Sequence, residues 1–278
     1  QLRDIEYVSL PDQSKQHAMF YAPDASEPVP LVVALHTWSG DYKQQYHSRV
    51  ERWCIEQGWA YIHPNFRGPN VRPEATGSDL VVNDIVSAVD YACENAKIDR
   101  SSVYLIGTSG GGYTALLMAG RRPDVWAGVS AWVPISDLTA WYAECKKSGR
   151  AYYKQIAASC GGAPGAGAAV DREYEKRSPL TYLERAKGLN LHINAGINDG
   201  HGSGSVPISH SLLAFNSVAA PQDRLTDAEI SHFDEKAAVP IGLNSDITDT
   251  SSSSSPPLSR MNLRNASVTL FISGHHTV

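Results

Sequence analysis

No stretch of this 278-residue chain approaches the roughly 20 consecutive apolar residues of a membrane span, so a membrane-inserted helix is not expected. A basic stripe is missing as well. With 24 Lys and Arg against 29 Asp and Glu, the formal charge is −5, which argues against a nucleic-acid partner. Cysteines number only four, Cys54, Cys93, Cys145 and Cys160; none forms a CxxC pair or has a histidine at zinc-ligand spacing, so no structural metal site is expected. Cys145 and Cys160 bracket the segment CKKSGRAYYKQIAASC, for which two readings stay open: a disulfide in an exported protein, or two unlinked thiols. No secretory leader is visible. The chain starts at Gln1 and not at methionine, from which a processed start and a secreted or periplasmic location are expected. Internal repeats and domain-separating linkers are also lacking, so residues 1–278 are expected to form a single domain.

What is present is an alternation of short apolar runs and longer periodic segments. LVVALH (Leu31–His36), WAYIHP (Trp59–Pro64), SVYLIG (Ser102–Gly107), WAGVSAWV (Trp126–Val133), NLHINAG (Asn190–Gly196) and SVTLFIS (Ser267–Ser273) read as strands. Their near-continuous apolar character is that of parallel strands covered on both faces. Helices are predicted over Lys43–Gln57, Asp79–Asn95, Gly111–Arg121 and Ile208–Val218. In the second of these, Val81, Ile85, Val89 and Ala92 recur at three- and four-residue spacing. DIEYVSLP and HAMFYAP flank the polar DQSKQ and predict an antiparallel hairpin at a sheet edge. The fold class is therefore α/β, with a mostly parallel central sheet, helices on both faces and an antiparallel N-terminal hairpin. Two regions break the rhythm: residues 134–188 exceed what a crossover needs, and 237–265, which include NSDITDTSSSSSPPLSR, read as a mobile loop.

The stretch SVYLIGTSGGGYTALLMAG places a serine among glycines between a predicted strand and a predicted helix. Glycine is costly at such a boundary unless positive φ or very close approach demands it. The pattern Gly107-Thr108-Ser109-Gly110-Gly111 fits a nucleophile elbow, in which the serine turns sharply and its neighbours must be tiny. That turn lifts the Ser109 hydroxyl above the sheet and leaves the Gly110 amide facing the place where negative charge develops on a substrate oxygen. A Walker-type loop would need Gly-Lys-Ser/Thr, and no lysine is present.

These pieces, together with VVALHTWSGDY, IHPNFRGPN, KRSPLTYL, NAGINDGHGSGSVPISHSLLAFN and VTLFISGHH, resemble an α/β-hydrolase. The likeness is greatest to prolyl oligopeptidase-type catalytic domains and related carbohydrate esterases. The resemblance implies a Ser–acid–His triad in that chain order. The acid belongs in the loop after a later strand, where Asp199 stands, with Asp137 as runner-up and a plain Asp199–Gly200 turn as the bland reading. The histidine belongs after the last strand, where His275 and His276 both stand. Relatives carry Gly-His there, which selects His275. The second oxyanion donor belongs to the loop after LVVALH and falls on the Trp38 amide, with Thr37 where relatives often have glycine. Residues 134–188 would then form a cap over the cleft.

Arg67 and Trp132 are expected to contact substrate, with a main-chain carbonyl as the other reading for Arg67. Trp38, Phe66, Trp132, Trp141 and Tyr142 are expected near the cleft mouth, either stacking on substrate or serving as ordinary packing. His36 is expected to brace the oxyanion loop, and His210 to be structural. The implied reaction is acyl transfer without metal or cofactor, on a small-molecule or saccharide ester. The oligopeptidase-type relatives place a propeller ahead of this domain, and its absence before the hairpin tilts the expectation toward an esterase. A peptidase or amidase is the alternative, and a non-catalytic binding protein of the same fold is the third reading. Oligomeric state has no readable signal.

Overall fold

The alternation of side chains along each strand sets the two faces of the sheet. In the strand β3 (Val29–Leu35), Leu31, Val33 and Leu35 point into one apolar cluster while Val32 and Ala34 point into another. The same division holds in β5 (Ile98–Thr108), where Val103 and Leu105 share the first cluster and Tyr104 and Ile106 border the second. The computed structural model describes residues 1–243, 257–263 and 266–271, the last two stretches as backbone.

Among these, β1 (Arg3–Val8) and β2 (Lys15–Tyr21) form the expected antiparallel hairpin. β4 (Ala60–Pro64), β6 (Gly128–Trp132), β7 (Leu191–Gly196), β8 (Pro257–Leu263) and β9 (Ala266–Phe271) complete one sheet, in the order β1-β2-β4-β3-β5-β6-β7-β9-β8. Its central strands β4, β3, β5, β6, β7 and β9 run parallel, so their carboxyl ends line one edge. Leu35 lies opposite Gly107, Thr108 opposite Trp132, and Gly196 opposite Phe271 along that edge. Ligands of open parallel sheets bind outside this edge.

The main core lies between the sheet and the helices α2 (Asp79–Asn95), α3 (Gly110–Arg121), α7 (Ser209–Val218) and α8 (Asp227–Lys236). The helix α1 (Ser48–Gln57) serves the opposite face, where Cys54 joins Val32, Ala34 and Tyr61. Among the described residues no helix is long and apolar enough to cross a membrane.

Residues 134–188 are helical in a way the sequence did not announce. They carry α4 (Leu138–Lys147), α5 (Tyr152–Cys160) and α6 (Ala168–Arg177), which share an apolar cluster with Trp38 and Tyr113. Arg177 anchors this insertion. Its guanidinium donates to the carbonyls of Pro73 and Thr76 at 2.9 and 3.0 Å and pairs with Glu173. Within the segment expected as a mobile loop, residues 257–263 form β8. That strand begins on a proline and lies at the sheet edge, where a missing N–H does no harm, and a proline-led polar run gives no strand signal. Ser251–Ser255 lie outside the described residues.

Candidate active site

The strand β5 ends at Thr108 and α3 begins at Gly110, so Ser109 alone makes the reversal. It does so at φ 56° and ψ −117°, a conformation that costs a non-glycine residue about 1–3 kcal/mol. The surroundings hold it there. The Ser109 amide donates to the Trp132 carbonyl at 2.8 Å, and the Ser109 carbonyl accepts the Tyr113 N–H at 2.8 Å. Ser109 is half-buried while Thr108 and Gly110 on either side are buried. The glycines meet a steric demand. A methyl on Gly107 would overlap the Gly111 carbonyl, one on Gly111 the Leu35 carbonyl, and one on Gly110 the backbone of Trp38.

That last contact sets the Trp38 amide beside the Gly110 amide at the N-terminus of α3, where the helix dipole favours negative charge. Neither amide has an acceptor among the described residues. The Trp38 loop is tied from several sides. The Gln44 carboxamide accepts from the Thr37 N–H and donates to the Thr37 hydroxyl, both at 2.8 Å. The Asn70 amide donates to the Trp38 carbonyl at 2.8 Å. His36 braces the loop: its ring nitrogens lie 2.9 Å from the Thr37 and Asn65 carbonyls, and the ring stacks on Phe66 at 3.9 Å. Burial pushes the His36 pKa below its ordinary value, against the pull of those carbonyls. Thr37 keeps a negative φ, so the loop does not need glycine there.

Asp199 follows β7 and is 2 % exposed. Its Oδ2 accepts the Gly196 N–H at 2.7 Å, while its Oδ1 is buried without a partner among the described residues. Burial pushes its pKa up to about 7 against the Gly196 hydrogen bond. A buried carboxylate oxygen left bare is expensive, so this one calls for a donor. Gly196 is paired with Phe271, so β9 ends at the same edge as the Asp199 loop. His275, four positions after Phe271 in sequence, and His276 lie outside the described residues. The runner-up acid has other work: Asp137 caps α4, its Oδ1 accepting from Thr139 and Ala140 at 2.7 and 3.1 Å.

Two expected substrate contacts are placed differently. Arg67 lies in an ion-pair network. Its guanidinium donates to Asp84 at 2.7 and 2.9 Å and to Asp12 at 2.8 and 3.1 Å, with its side chain 10 % exposed. The inner edge of that fork is engaged by a fully buried carboxylate on α2. Trp132 meets the elbow through its carbonyl, while its indole donates back along the strand to Ser130 Oγ at 2.9 Å. Among the other aromatics, Trp38 and Trp141 are buried against each other at 4.7 Å. Cys145 and Cys160 share the insertion's cluster as free thiols.

Sequence reasoning missed Gln44 and Gln155, the latter accepting the Trp38 indole N–H at 2.8 Å. It treated His210 as structural without finding its partner, Glu144 Oε2, to which the ring Nε2–H donates at 3.0 Å. Contacts of long polar side chains across 117 and 66 positions leave no local pattern.

Residues 44–230 match the model of the prolyl oligopeptidase family. In sequence the chain is similar to acylamino-acid-releasing enzyme 2 of Oryza sativa subsp. japonica, 26% identical over 218 residues, which is 73% of this chain and 27% of that protein. It is also similar to feruloyl esterase B of Thermothelomyces thermophilus, 29% identical over 117 residues, 38% of this chain and 40% of that one. In fold it is similar to the acylaminoacyl peptidase of Pyrococcus horikoshii, with a TM-score of 0.62 at 19% identity over 78% of this chain and 34% of the other. The chain thus spans well under half the length of these relatives.

Proposed function

Because this chain belongs to the prolyl oligopeptidase family, a family of serine hydrolases, we propose that it hydrolyses carboxylic esters through an acyl-enzyme on Ser109. The observation that carries the reading is the Ser109 elbow, strained at φ 56° and set beside two backbone amides that have no acceptor among the described residues. In the proposed cycle His275 takes the Ser109 Oγ proton as that oxygen attacks the ester carbonyl carbon. Asp199 fixes the His275 tautomer and stabilises the imidazolium. The amides of Trp38 and Gly110 hold the oxyanion. Collapse breaks the C–O bond to the alcohol, which leaves with the proton from His275. Water then gives a proton to His275, attacks the acyl carbon, and releases the acid as Ser109 regains its proton. The cycle calls for no metal or cofactor.

The finer form of this reading is a small-molecule or saccharide-borne ester in a secreted or periplasmic setting; the similarity to feruloyl esterase B supports the ester part of it. One domain carries the site in this reading, with the helical insertion 134–188 as a cap beside Trp38. A second reading, a serine peptidase or amidase, is favoured by the longer match to acylamino-acid-releasing enzyme 2. Both use the same elbow and differ in the leaving group.

Hydrolysis of p-nitrophenyl acetate, butyrate and octanoate, beside an aminoacyl-p-nitroanilide, tests the choice in wild type and Ser109→Ala. Ester turnover lost by about six orders of magnitude in the variant is the expected result. Turnover of the anilide in preference to the esters would move the assignment to the peptidase. Activity untouched by Ser109→Ala, or no turnover of either class, would remove the acyl-enzyme mechanism.

A further inference from the structure

The residue whose amide is assigned to the oxyanion has its side chain anchored in the helical insertion. The Trp38 indole is 2 % exposed and stands edge-on to Trp141 at 4.7 Å, with Tyr113 at 5.7 Å and Tyr152 at 6.4 Å. Ring contacts of this kind, edge to face in a close-packed cluster, hold the indole in its pocket. One contact has direction: the indole Nε1–H donates to Gln155 Oε1 of α5 at 2.8 Å. The helix α5 is itself registered on the main body. One turn after Gln155, Ser159 Oγ lies 2.8 Å from Thr76 Oγ1, in the segment whose carbonyls bind the buried Arg177.

On the other side of Trp38, its backbone rests on Gly110, which has no side chain to hold it. The Trp38 carbonyl takes the Asn70 amide, and Gln44 fixes the preceding residue. Gln155 adds a directional hydrogen bond at the far end of the side chain whose backbone carries that amide.

We propose that Gln155 is a positioning residue for the oxyanion hole, holding the Trp38 amide in line by accepting the Trp38 indole N–H from across the insertion. The proposal rests on the Ser109 acyl-enzyme reading. It makes α5 part of the catalytic apparatus, although Gln155 lies 46 positions beyond Ser109 in sequence. A donor misplaced by a fraction of an ångström costs most in the transition state, where the oxygen carries its charge, and little in the bound ester.

The test compares Gln155→Leu and Gln155→Met, which remove the acceptor, with Gln155→Glu, which keeps one. Each is measured by steady-state ester hydrolysis, by affinity for a trifluoromethyl ketone that forms a tetrahedral adduct, and by the Trp38 indole N–H resonance. We expect kcat to fall about tenfold to a hundredfold in the Leu and Met variants with KM within about twofold. Ketone affinity should fall in parallel, the indole resonance should move upfield, and Gln155→Glu should restore most of each. A kcat unchanged in both apolar variants, or a loss that Gln155→Glu does not recover, overturns the proposal. So does a change confined to KM. Ser109→Ala run alongside separates the failures: activity that survives it sinks the acyl-enzyme reading, and this inference with it. Ser109-dependent activity indifferent to Gln155 sinks the inference alone.

Discussion

Gly110 meets Trp38 backbone to backbone, so closely that a single methyl at Gly110 would overlap the Trp38 amide nitrogen and Cα. The two amides assigned to the oxyanion therefore cannot be adjusted one at a time. Gly110→Ala must push the Trp38 loop away or turn the first residue of α3. Since losing one oxyanion donor typically costs about 10²–10³ in rate, kcat for ester hydrolysis should drop by that order with KM little changed. A Gly110→Ala enzyme with wild-type kcat would show that these amides do not serve the transition state.

Ser109 is held at φ 56° without being glycine. The strain of about 1–3 kcal/mol exceeds the extra chain entropy that glycine carries, about 0.5–1 kcal/mol. Ser109→Gly should therefore be inactive yet more stable than wild type, by about 1 kcal/mol. Ser109→Ala keeps the β-carbon and should gain little. Thermal unfolding of the three proteins side by side reads the difference, and a glycine variant no more stable than the alanine one would deny the strain.

The elbow was legible in the sequence because its steric demand falls on neighbouring positions, Gly107 to Gly111, where three matched residue types can be seen at once. The helix α2 was legible for a related reason: its apolar period runs unbroken over Asp79–Asn95. The ion pair of Arg67 was not legible, because an arginine in a loop after a strand looks the same whether it waits for substrate or serves a buried carboxylate 17 positions on. Only the fold brings Asp84 to it. The insertion helices are nine or ten residues long and joined by small-residue loops. Segments that short owe their helicity to packing more than to propensity, so their signal appears only with their neighbours. His275 was read from resemblance and lies outside the described residues.

Without an imidazole donor on Oδ1, Asp199 ties stability to pH in a direction opposite to the usual salt-bridged carboxylate. Its folded pKa is raised to about 7 from 3.8 by burial. Between those values the folded chain holds a proton that the unfolded chain has released, so the stability this group contributes is greatest below about pH 4. It falls as pH rises toward 7, and is level above. A His275→Ala variant should display that fall, because Oδ1 then lacks an imidazole donor, and adding Asp199→Asn should flatten it. Denaturant titrations of wild type and both variants from pH 4 to 8 would read this; a fall as steep in wild type as in His275→Ala would refute the assignment of this carboxylate as His275's partner. In otherwise wild-type protein, Asp199→Asn should lower kcat by about 10⁴.

The ion-pair network of Arg67 predicts a stability effect and, if it is the residue's whole role, no substrate effect. Its guanidinium joins Asp12 of the β1–β2 turn to Asp84 of α2, whose side chain is fully buried and also accepts from the Ser9 hydroxyl. Burial pushes the Asp84 pKa up even though Arg67 pulls it down, so the carboxylate depends on its partner. Arg67→Met leaves that charge bare and should cost about 3–5 kcal/mol, whereas Arg67→Met with Asp84→Leu should recover most of the loss. Arg67→Lys should remain well below wild type, since an ammonium cannot reproduce the two-pronged contact with Asp84. Among variants still folded at the assay temperature, KM for p-nitrophenyl esters should stay within about twofold of wild type. A KM raised tenfold in Arg67→Met without loss of stability would return this arginine to the substrate.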